Sequence, residues 1–267
     1  MTASRVLVEI DGQIAHVTLN RPDKLNGIDL DTIDELIAAA ESLRADRHVR
    51  AVLLRGAGRS FSAGLDFGAA FADKGRVKKF FFAGPRRLNR FQYVNQVWRE
   101  LPVPVIAVVQ GHCYGAGLQL AACADFRFTT TDSTWAILEA KWGLVPDMAG
   151  TLPFSELLPA DVLMRLAITG ESFSGSRAAE LGLATEAVDD PLAAALALVD
   201  QIVERSPDSV AATKQLVYGT RRGSARQAWR LERKLQAAMF RARNTSIART
   251  AGAAKQKPEF GPRTHAS

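Results

Sequence analysis

Cysteine is nearly absent from this 267-residue chain, with Cys113 and Cys123 the only two. Ten positions apart, they fit neither a CxxC redox pair nor the spacing of zinc ligands, and they are too few for a disulfide framework. Cys113 is read as a small buried filler rather than a nucleophile, because no histidine–acid pair accompanies it, although His112 is adjacent. Histidine is equally scarce: His16, His48, His112 and His265 are scattered without ligand spacing, so no metal site is expected. No apolar run is long enough to cross a bilayer. Met1 to Ile10, carrying Arg5 and Glu9, lacks the apolar centre and cleavage pattern of a secretory leader. The terminal Thr264-His265-Ala266-Ser267 matches no peroxisomal or retention tag. A cytoplasmic location is therefore the expectation. Internal repeats and long low-complexity linkers are also lacking.

What the chain does have is apolar mass, 47% of its residues, enough for a large core in one domain or in a core with a small appendage. Its net charge of +6 is unevenly spread. Between Arg205 and Lys257 thirteen Lys or Arg face two acids, Asp208 and Glu232. A second basic stretch, Lys74 to Arg99, includes Arg76, Lys78, Lys79, Arg86, Arg87 and Arg90. Such patches attract polyanions or simply keep helix faces solvated. No RNA-binding motif accompanies them, so nucleic acid is not the expected partner.

Val6 to Ile10 and Ile14 to Leu19 flank Asp11-Gly12-Gln13 and read as a hairpin, with His16 on its solvent face. A helix capped by Asp29 or Asp31 should run to about Leu43, burying Ile33, Leu36, Ile37 and Ala40. Apolar strands Ala51 to Leu54 and Val103 to Val109 each lead into a glycine-bearing turn and then a helical segment. This alternation argues for an α/β core. Aromatic residues Phe80, Phe81, Phe82, Phe91, Tyr93 and Trp98 either line a substrate tunnel or pack a helix. From about Asp190 the chain turns helical, and Ser224 could cap a helix through Arg243 with Ala228, Leu231, Leu235 and Ala238 on its apolar face.

The two turns are the most informative feature. Phe61-Ser62-Ala63-Gly64-Leu65-Asp66 and Gly111-His112-Cys113-Tyr114-Gly115-Ala116-Gly117-Leu118-Gln119 leave backbone N–H groups free at strand-to-helix junctions. One donor from each could serve a single oxyanion.

The first turn resembles the F-S-A-G-x-D motif of the enoyl-CoA hydratase/isomerase (crotonase) superfamily, and the second resembles that family's other glycine motif. The likeness runs nearly the whole length. Asn20-Arg21-Pro22-Asp23-Lys24-Leu25-Asn26 resembles its N-R-P turn, and Ala178 to Ala184 its A-x-x-x-G-L-V stretch. Lys255-Gln256-Lys257-Pro258-Glu259-Phe260 resembles its K-R-K-P-x-F tail. The resemblance implies an α/β spiral core of repeated ββα units over 1–190, carrying the acyl-CoA site. It implies a C-terminal helical region over 191–267 that packs against neighbouring subunits in a homotrimer or a dimer of trimers.

By the same resemblance, the oxyanion donors are the N–H groups of Leu65 and Ala116, which would hold the thioester carbonyl of a coenzyme A substrate. Gly64 and Gly115 permit that approach, and Lys24, Ala63, Asp66 and Lys255 fall near coenzyme A, Lys255 reaching from an adjacent subunit. Gly252 stands where the family has an adenine-stacking phenylalanine. Coenzyme A is part of the substrate and no permanently bound cofactor is implied. Glu139, in Leu138-Glu139-Ala140-Lys141-Trp142-Gly143-Leu144-Val145-Pro146-Asp147, falls on the family's catalytic glutamate; without that match it reads as a surface ion-pair partner, of Lys141 for instance.

The other glutamate of classical hydratases is replaced by Gln119, which has no useful basicity but can orient water or substrate. Asp147 stands where dienoyl-CoA isomerases carry an aspartate, or else caps the helix after it. The expected activity is a double-bond shift in enoyl-CoA with Glu139 as acid and base. Dienoyl-CoA isomerisation by Glu139 and Asp147, hydration with Gln119 positioning water, and a catalytically silent or RNA-binding paralogue are the alternatives.

Overall fold

The computed structural model describes residues 4–70, 72–82, 88–221 and 223–265. Arg86, Arg87 and Arg222 of the basic stretches, and Met1, Ala266 and Ser267 of the terminal readings, lie outside them.

Nine strands are assigned among these residues: β1 (Val6–Asp11), β2 (Ile14–Leu19), β3 (Ala51–Gly56), β4 (Val105–Val109), β5 (His112–Tyr114), β6 (Phe126–Thr129), β7 (Thr134–Ala136), β8 (Phe173–Ser174) and β9 (Glu186–Ala187). The main sheet has the order β1-β2-β3-β4-β6-β9, antiparallel between β1 and β2 and parallel thereafter. A smaller sheet has the order β5-β7-β8. Gly12, at φ +57°, supplies the left-handed backbone that the two-residue loop between β1 and β2 requires.

β3 and β4 are buried on both sides, which is why their sequences are continuous apolar runs without alternation. Strand periodicity divides them between two cores. Val52, Leu54, Val105, Ala107 and Val109 face the main core, which also takes Ile33, Leu36, Ile37 and Ala40 of helix α1 (Leu30–Ala45). Ala51, Leu53, Ile106 and Val108 face the opposite way. Of the two cap candidates, Asp29 rather than Asp31 caps α1, accepting from the Thr32 N–H.

Four short helices, α2 (Phe67–Ala70), α3 (Lys74–Phe81), α4 (Arg90–Arg99) and α5 (Ala116–Ala122), follow the two glycine turns. α6 (Thr151–Leu157), α7 (Ala160–Thr169) and α8 (Gly175–Glu180) lead to α9 (Pro191–Val203). Ala195 and Val199 of α9 cover the second face of the main sheet. The chain ends in α10 (Pro207–Arg221), α11 (Ala225–Met239) and α12 (Arg243–Ala254). Strand-then-helix succession around a shared core is the α/β spiral expected from the resemblance.

Ser224 caps α11 as anticipated, in a reciprocal pair with Gln227. The helix does not continue through Arg243, however. It stops at Met239, and the chain turns so that Asn244, buried in α12, donates its amide to Asp208 Oδ2 at 2.8 Å. Asp208 is fully buried and also accepts from the backbone N–H groups of Thr264 and His265. Burial pushes its carboxyl upward, but these donors outweigh it and hold the group below the usual carboxylate range.

A depressed carboxyl stabilises the fold above its ordinary range and loses that contribution as pH falls. Asp208→Ala should therefore cost about 3 kcal/mol in urea unfolding at neutral pH. The gap from the parent protein should narrow as pH drops below 3.8, the group's ordinary value.

Candidate active site

A parallel bridge between Ser62 and Cys113 joins the two glycine turns. Ser62 N–H donates to His112 O at 2.9 Å, and Tyr114 N–H donates to Ser62 O at 3.0 Å. Gly64 lies at φ +92°, and a Cβ added there would stand 2.9 Å from Tyr114 O and 3.6 Å from Ala116 N. A Cβ on Gly117 would stand 2.7 Å from Ser62 Oγ. These glycines are therefore required by the contact between turns as well as by the backbone conformation. The early turn supports the pair from behind: buried Asn26 donates to Ser60 O and accepts from Arg21 N–H, while Ser62 Oγ donates to Asn26 O.

Leu65 pairs with Ile28 through its neighbours, since Ile28 N–H donates to Gly64 O and Asp66 N–H to Ile28 O. Leu65 N–H thus points away from this bridge. Ala116 is the first residue of α5, where an N–H has no partner within the helix. Among the described residues neither Leu65 N–H nor Ala116 N–H donates to a protein acceptor. Both residues border one cavity of about 160 Å³.

Glu139 and Asp147 border the same cavity. Glu139 opens a short 3-10 turn, Glu139–Trp142, and an added Cβ on Gly115 would lie 3.6 Å from its Oε1. Oε1 accepts from Gln119 Nε2 at 2.6 Å, while Oε2 is shielded from solvent with no hydrogen-bond partner. Glu139 forms no ion pair among the described residues, which removes the surface salt-bridge reading. Burial, followed by hydrogen bonds that offset part of it and by the charge of Asp147, leaves Glu139 above the usual glutamate range. Burial likewise raises Asp147.

The structure decides between alternatives that the sequence left open. Gln119 is buried, with 1% exposure, and is not on the cavity wall. Its Nε2 holds Glu139, and its Oε1 accepts from Met148 N–H at 2.9 Å and Gly150 N–H at 3.1 Å. Gln119 is a positioning residue that joins the segment bearing Glu139 to the loop bearing Asp147. Asp147 does not cap the helix after it, because α6 begins at Thr151 behind Gly150 without a side-chain cap. Finally, the aromatic stretch does not line the cavity: Phe91 and Trp98 are buried in the core, whereas Phe81 and Phe82 are exposed. Phe67 and Trp142 are the aromatic residues on the wall, with ring centroids 5.1 Å apart.

Asn95, not singled out from sequence, is fully buried and donates its amide to Met148 O at 2.7 Å. Its only sequence signal was a polar residue among apolar positions on α4. Cys113 and Cys123 are buried and free, and burial pushes the Cys113 thiol well above its ordinary value. His112 stacks on Tyr114.

Of the residues assigned to coenzyme A, Ala63, Gly64 and Gly115 are on the cavity wall. Asp66 is held by Arg21 Nη2 at 3.0 Å and by Ala69 N–H. Partial burial pushes its carboxyl upward, but Ala69 N–H, Arg21 and the nearby charge of Lys24 hold it below the usual range. Lys24 and Lys255 are exposed and off the cavity wall in the single chain.

A larger void, about 520 Å³, lies beneath α10 and is bordered by Arg99, Asp125, Arg127, Lys214 and Tyr218. Its polar groups are engaged with one another: Lys214 and Tyr218 both donate to Asp125, and Arg99 pairs with Glu156. The smaller cavity, where two N–H groups without a protein acceptor meet two raised carboxyls, is the catalytic candidate.

The sequence pattern of the enoyl-CoA hydratase/isomerase family matches residues 9–263. The chain belongs to this family. Among curated relatives, carnitinyl-CoA dehydratase of Salmonella arizonae is 34% identical over 223 residues, 82% of each chain. The crystal structure of enoyl-CoA hydratase from Mycobacterium tuberculosis H37Rv is 30% identical, with a TM-score of 0.86 over 97% of this chain and 99% of that one. A Thermobifida fusca YX structure of the enoyl-CoA hydratase type, in complex with acetoacetyl-CoA, is 29% identical, with a TM-score of 0.78 over 89% of this chain and 95% of that one. The family's enoyl-CoA hydratase/isomerase scaffold is thus present end to end, and among the described residues no helix is long and apolar enough to cross a membrane.

Gly64→Ala should push the two turns apart while leaving the two cores intact. Turnover should fall at least 100-fold, the scale of losing one oxyanion donor, with an unchanged circular dichroism spectrum.

Proposed function

We propose that this family member moves a double bond in an enoyl-CoA thioester through an oxyanion-stabilised enolate. The observation that carries this reading is the pairing of two raised carboxyls, Glu139 and Asp147, with two unpartnered N–H groups around one cavity. Leu65 and Ala116 would hold the thioester oxygen. Glu139 would take a proton from the carbon next to the carbonyl, the electron pair moving onto that oxygen. Returning the proton at the far end of the extended enolate completes the shift. Each donor contributes about 3 kcal/mol in the transition state, because negative charge grows on the oxygen only then. On a dienoyl chain, Asp147 would supply or receive the second proton.

A second reading is reversible hydration, favoured by relatives whose names are dehydratase or hydratase. Here Asp147, rather than Gln119, would handle the oxygen added or lost at the next carbon, since Gln119 is spent on Glu139, Met148 and Gly150. A silent or RNA-binding paralogue is less consistent with two carboxyls kept in place beside the free donors.

Coenzyme A enters as the substrate's handle, with Lys24 and the Ala63–Asp66 turn beside it. Exposed Lys255, at the end of α12, is suited to serve a neighbouring subunit in a homotrimer or dimer of trimers. Exposed apolar side chains such as Met164, Ile168, Trp229 and Phe240 support such packing.

Turnover of trans-3-enoyl-CoA, 3,5-dienoyl-CoA and trans-2-enoyl-CoA tests the reading. Glu139→Gln should lower the double-bond shift at least 1,000-fold, near the upper part of the range for acid–base catalysis. Asp147→Asn should spare the monoenoyl reaction and abolish the dienoyl one. Fast hydration of the 2-enoyl substrate, lost in Asp147→Asn, would establish the second reading instead.

The pH profile supplies an independent check. A raised Glu139 becomes a base only above its ordinary value of 4.5, so the monoenoyl rate should climb through an ionisation above that value. Removing the neighbouring charge in Asp147→Asn should move this midpoint downward.

A further inference from the structure

Asp147 reaches the cavity from the loop between the Glu139–Trp142 turn and α6, and this loop is clamped one residue further on. Both backbone polar groups of Met148 are taken by side-chain amides. Its N–H donates to Gln119 Oε1 at 2.9 Å, and its carbonyl accepts from Asn95 Nδ2 at 2.7 Å. Gly150 N–H donates to the same Gln119 oxygen at 3.1 Å. Between these two donors Ala149 lies at φ +62°, left-handed backbone that a residue other than glycine enters only at a cost. Thr151 Oγ1 donates across the loop to Pro146 O at 3.1 Å. Left to itself, Ala149 favours right-handed or extended backbone; the two amides oppose that relaxation.

The clamp is mounted on a rigid element. Asn89 and Gln92 cap α4 reciprocally, and Phe91, Val94, Val97 and Trp98 bury it in the main core. Asn95 and Arg99, one turn apart, share a face of α4. Asn95 holds Met148 ahead of α6, and Arg99 pairs with Glu156 inside α6. Stability alone does not account for Asn95. It is fully buried, and its Oδ1 has no hydrogen-bond partner among the described residues. That orphaned oxygen carries a desolvation cost which an apolar side chain would avoid.

We propose that Asn95 is a positioning residue of the active site, acting through Met148 and the left-handed Ala149 to keep the Asp147 carboxyl at the cavity beside Glu139. The inference rests on the proposed reading in one respect, that Asp147 takes part in the dienoyl reaction. The placement itself does not depend on that chemistry. Among the described residues the cavity wall carries no Lys, Arg or His, and Asp147 is the charge that raises Glu139. This influence weakens as the two carboxyls move apart.

Substitutions off the cavity wall test the proposal. Asn95→Ala removes the donor to Met148 O and should lower 3,5-dienoyl-CoA turnover about tenfold, the scale of one hydrogen bond, at unchanged KM. Turnover of trans-3-enoyl-CoA should change by no more than about twofold, since Glu139 keeps its own bond to Gln119. Adding Ala149→Gly to Asn95→Ala should recover most of the dienoyl loss, because glycine adopts a positive φ freely. Ala149→Val, with Asn95 in place, should reproduce the loss, because a β-branched residue resists that backbone. Should Asn95→Ala not fold, Asn95→Ser, too short to reach Met148 O, replaces it in each comparison. Loss of both turnovers in step with the urea midpoint, without recovery by glycine, overturns the proposal in favour of a merely structural role.

Titration of the Glu139 carboxyl, followed by carbon-13 NMR and assigned by its absence in Glu139→Gln, reads the placement without any turnover. Its midpoint should move downward in Asn95→Ala and return when Ala149→Gly is added. An effect of Asp147→Asn on dienoyl turnover with none of Asn95→Ala on turnover or midpoint overturns this inference alone. A shifted midpoint in Asn95→Ala, with dienoyl turnover intact in Asp147→Asn, supports the positioning and overturns the proposed role of Asp147 alone.

Discussion

One short stretch of backbone pairing carries the rest of the site. The bridge between Ser62 and Cys113 brings together two turns about fifty residues apart in sequence, and each needs the other. Tyr114 can approach Gly64, and Ser62 can approach Gly117, only because neither glycine carries a Cβ. Without this contact the Leu65 and Ala116 N–H groups would be ordinary loop and helix-end donors facing water. With it, they border a single cavity and are left unpaired. The parallel main sheet makes the bridge possible, since β3 and β4 are neighbours and deliver both turns at the same edge.

Gln119 performs a comparable task for the acidic side of the cavity. Its amide is a bifunctional connector that a carboxylate could not reproduce unchanged: the nitrogen donates to Glu139, and the oxygen receives two backbone N–H groups. An unprotonated glutamate here would place like charge against Glu139. The glutamine therefore keeps one carboxyl in register while fixing the loop that presents the other. Asn95 anchors the same loop from the opposite side through Met148 O. Glu139 is held by the uncharged amide of Gln119, and burial raises both carboxyls while the charge of Asp147 raises Glu139 further.

Much of this was legible in the chain itself. The turn motifs, the Asp29 cap, the apolar faces of α1 and α11 and the Glu139 segment all announce themselves by residue type and spacing. Helix and strand periodicities are local properties, so a single sequence exposes them. What the sequence left open shares a cause. Asp147 resembled a helix cap because capping is a local pattern, yet its neighbours leave α6 to start at Thr151. The Phe-rich stretch could line a tunnel or pack a helix, because which ring faces a cavity depends on elements distant in sequence. The expected continuation of α11 to Arg243 did not hold: the helix ends at Met239, and Asn244 of the next helix is bonded to Asp208, far away in sequence.

The sequence by itself determined the α/β alternation, the family, the two glycine-dependent turns and the glutamine at position 119. These depend on backbone freedom, apolar periodicity and the identity of single residues. Only the tertiary structure decided that Gln119 is a brace, that Asp147 joins Glu139 at the cavity, and that Phe67 and Trp142 form its aromatic wall. Hydrogen-bond partners and shared burial arise from contacts across the fold, and no spacing along one chain specifies which distant groups will meet.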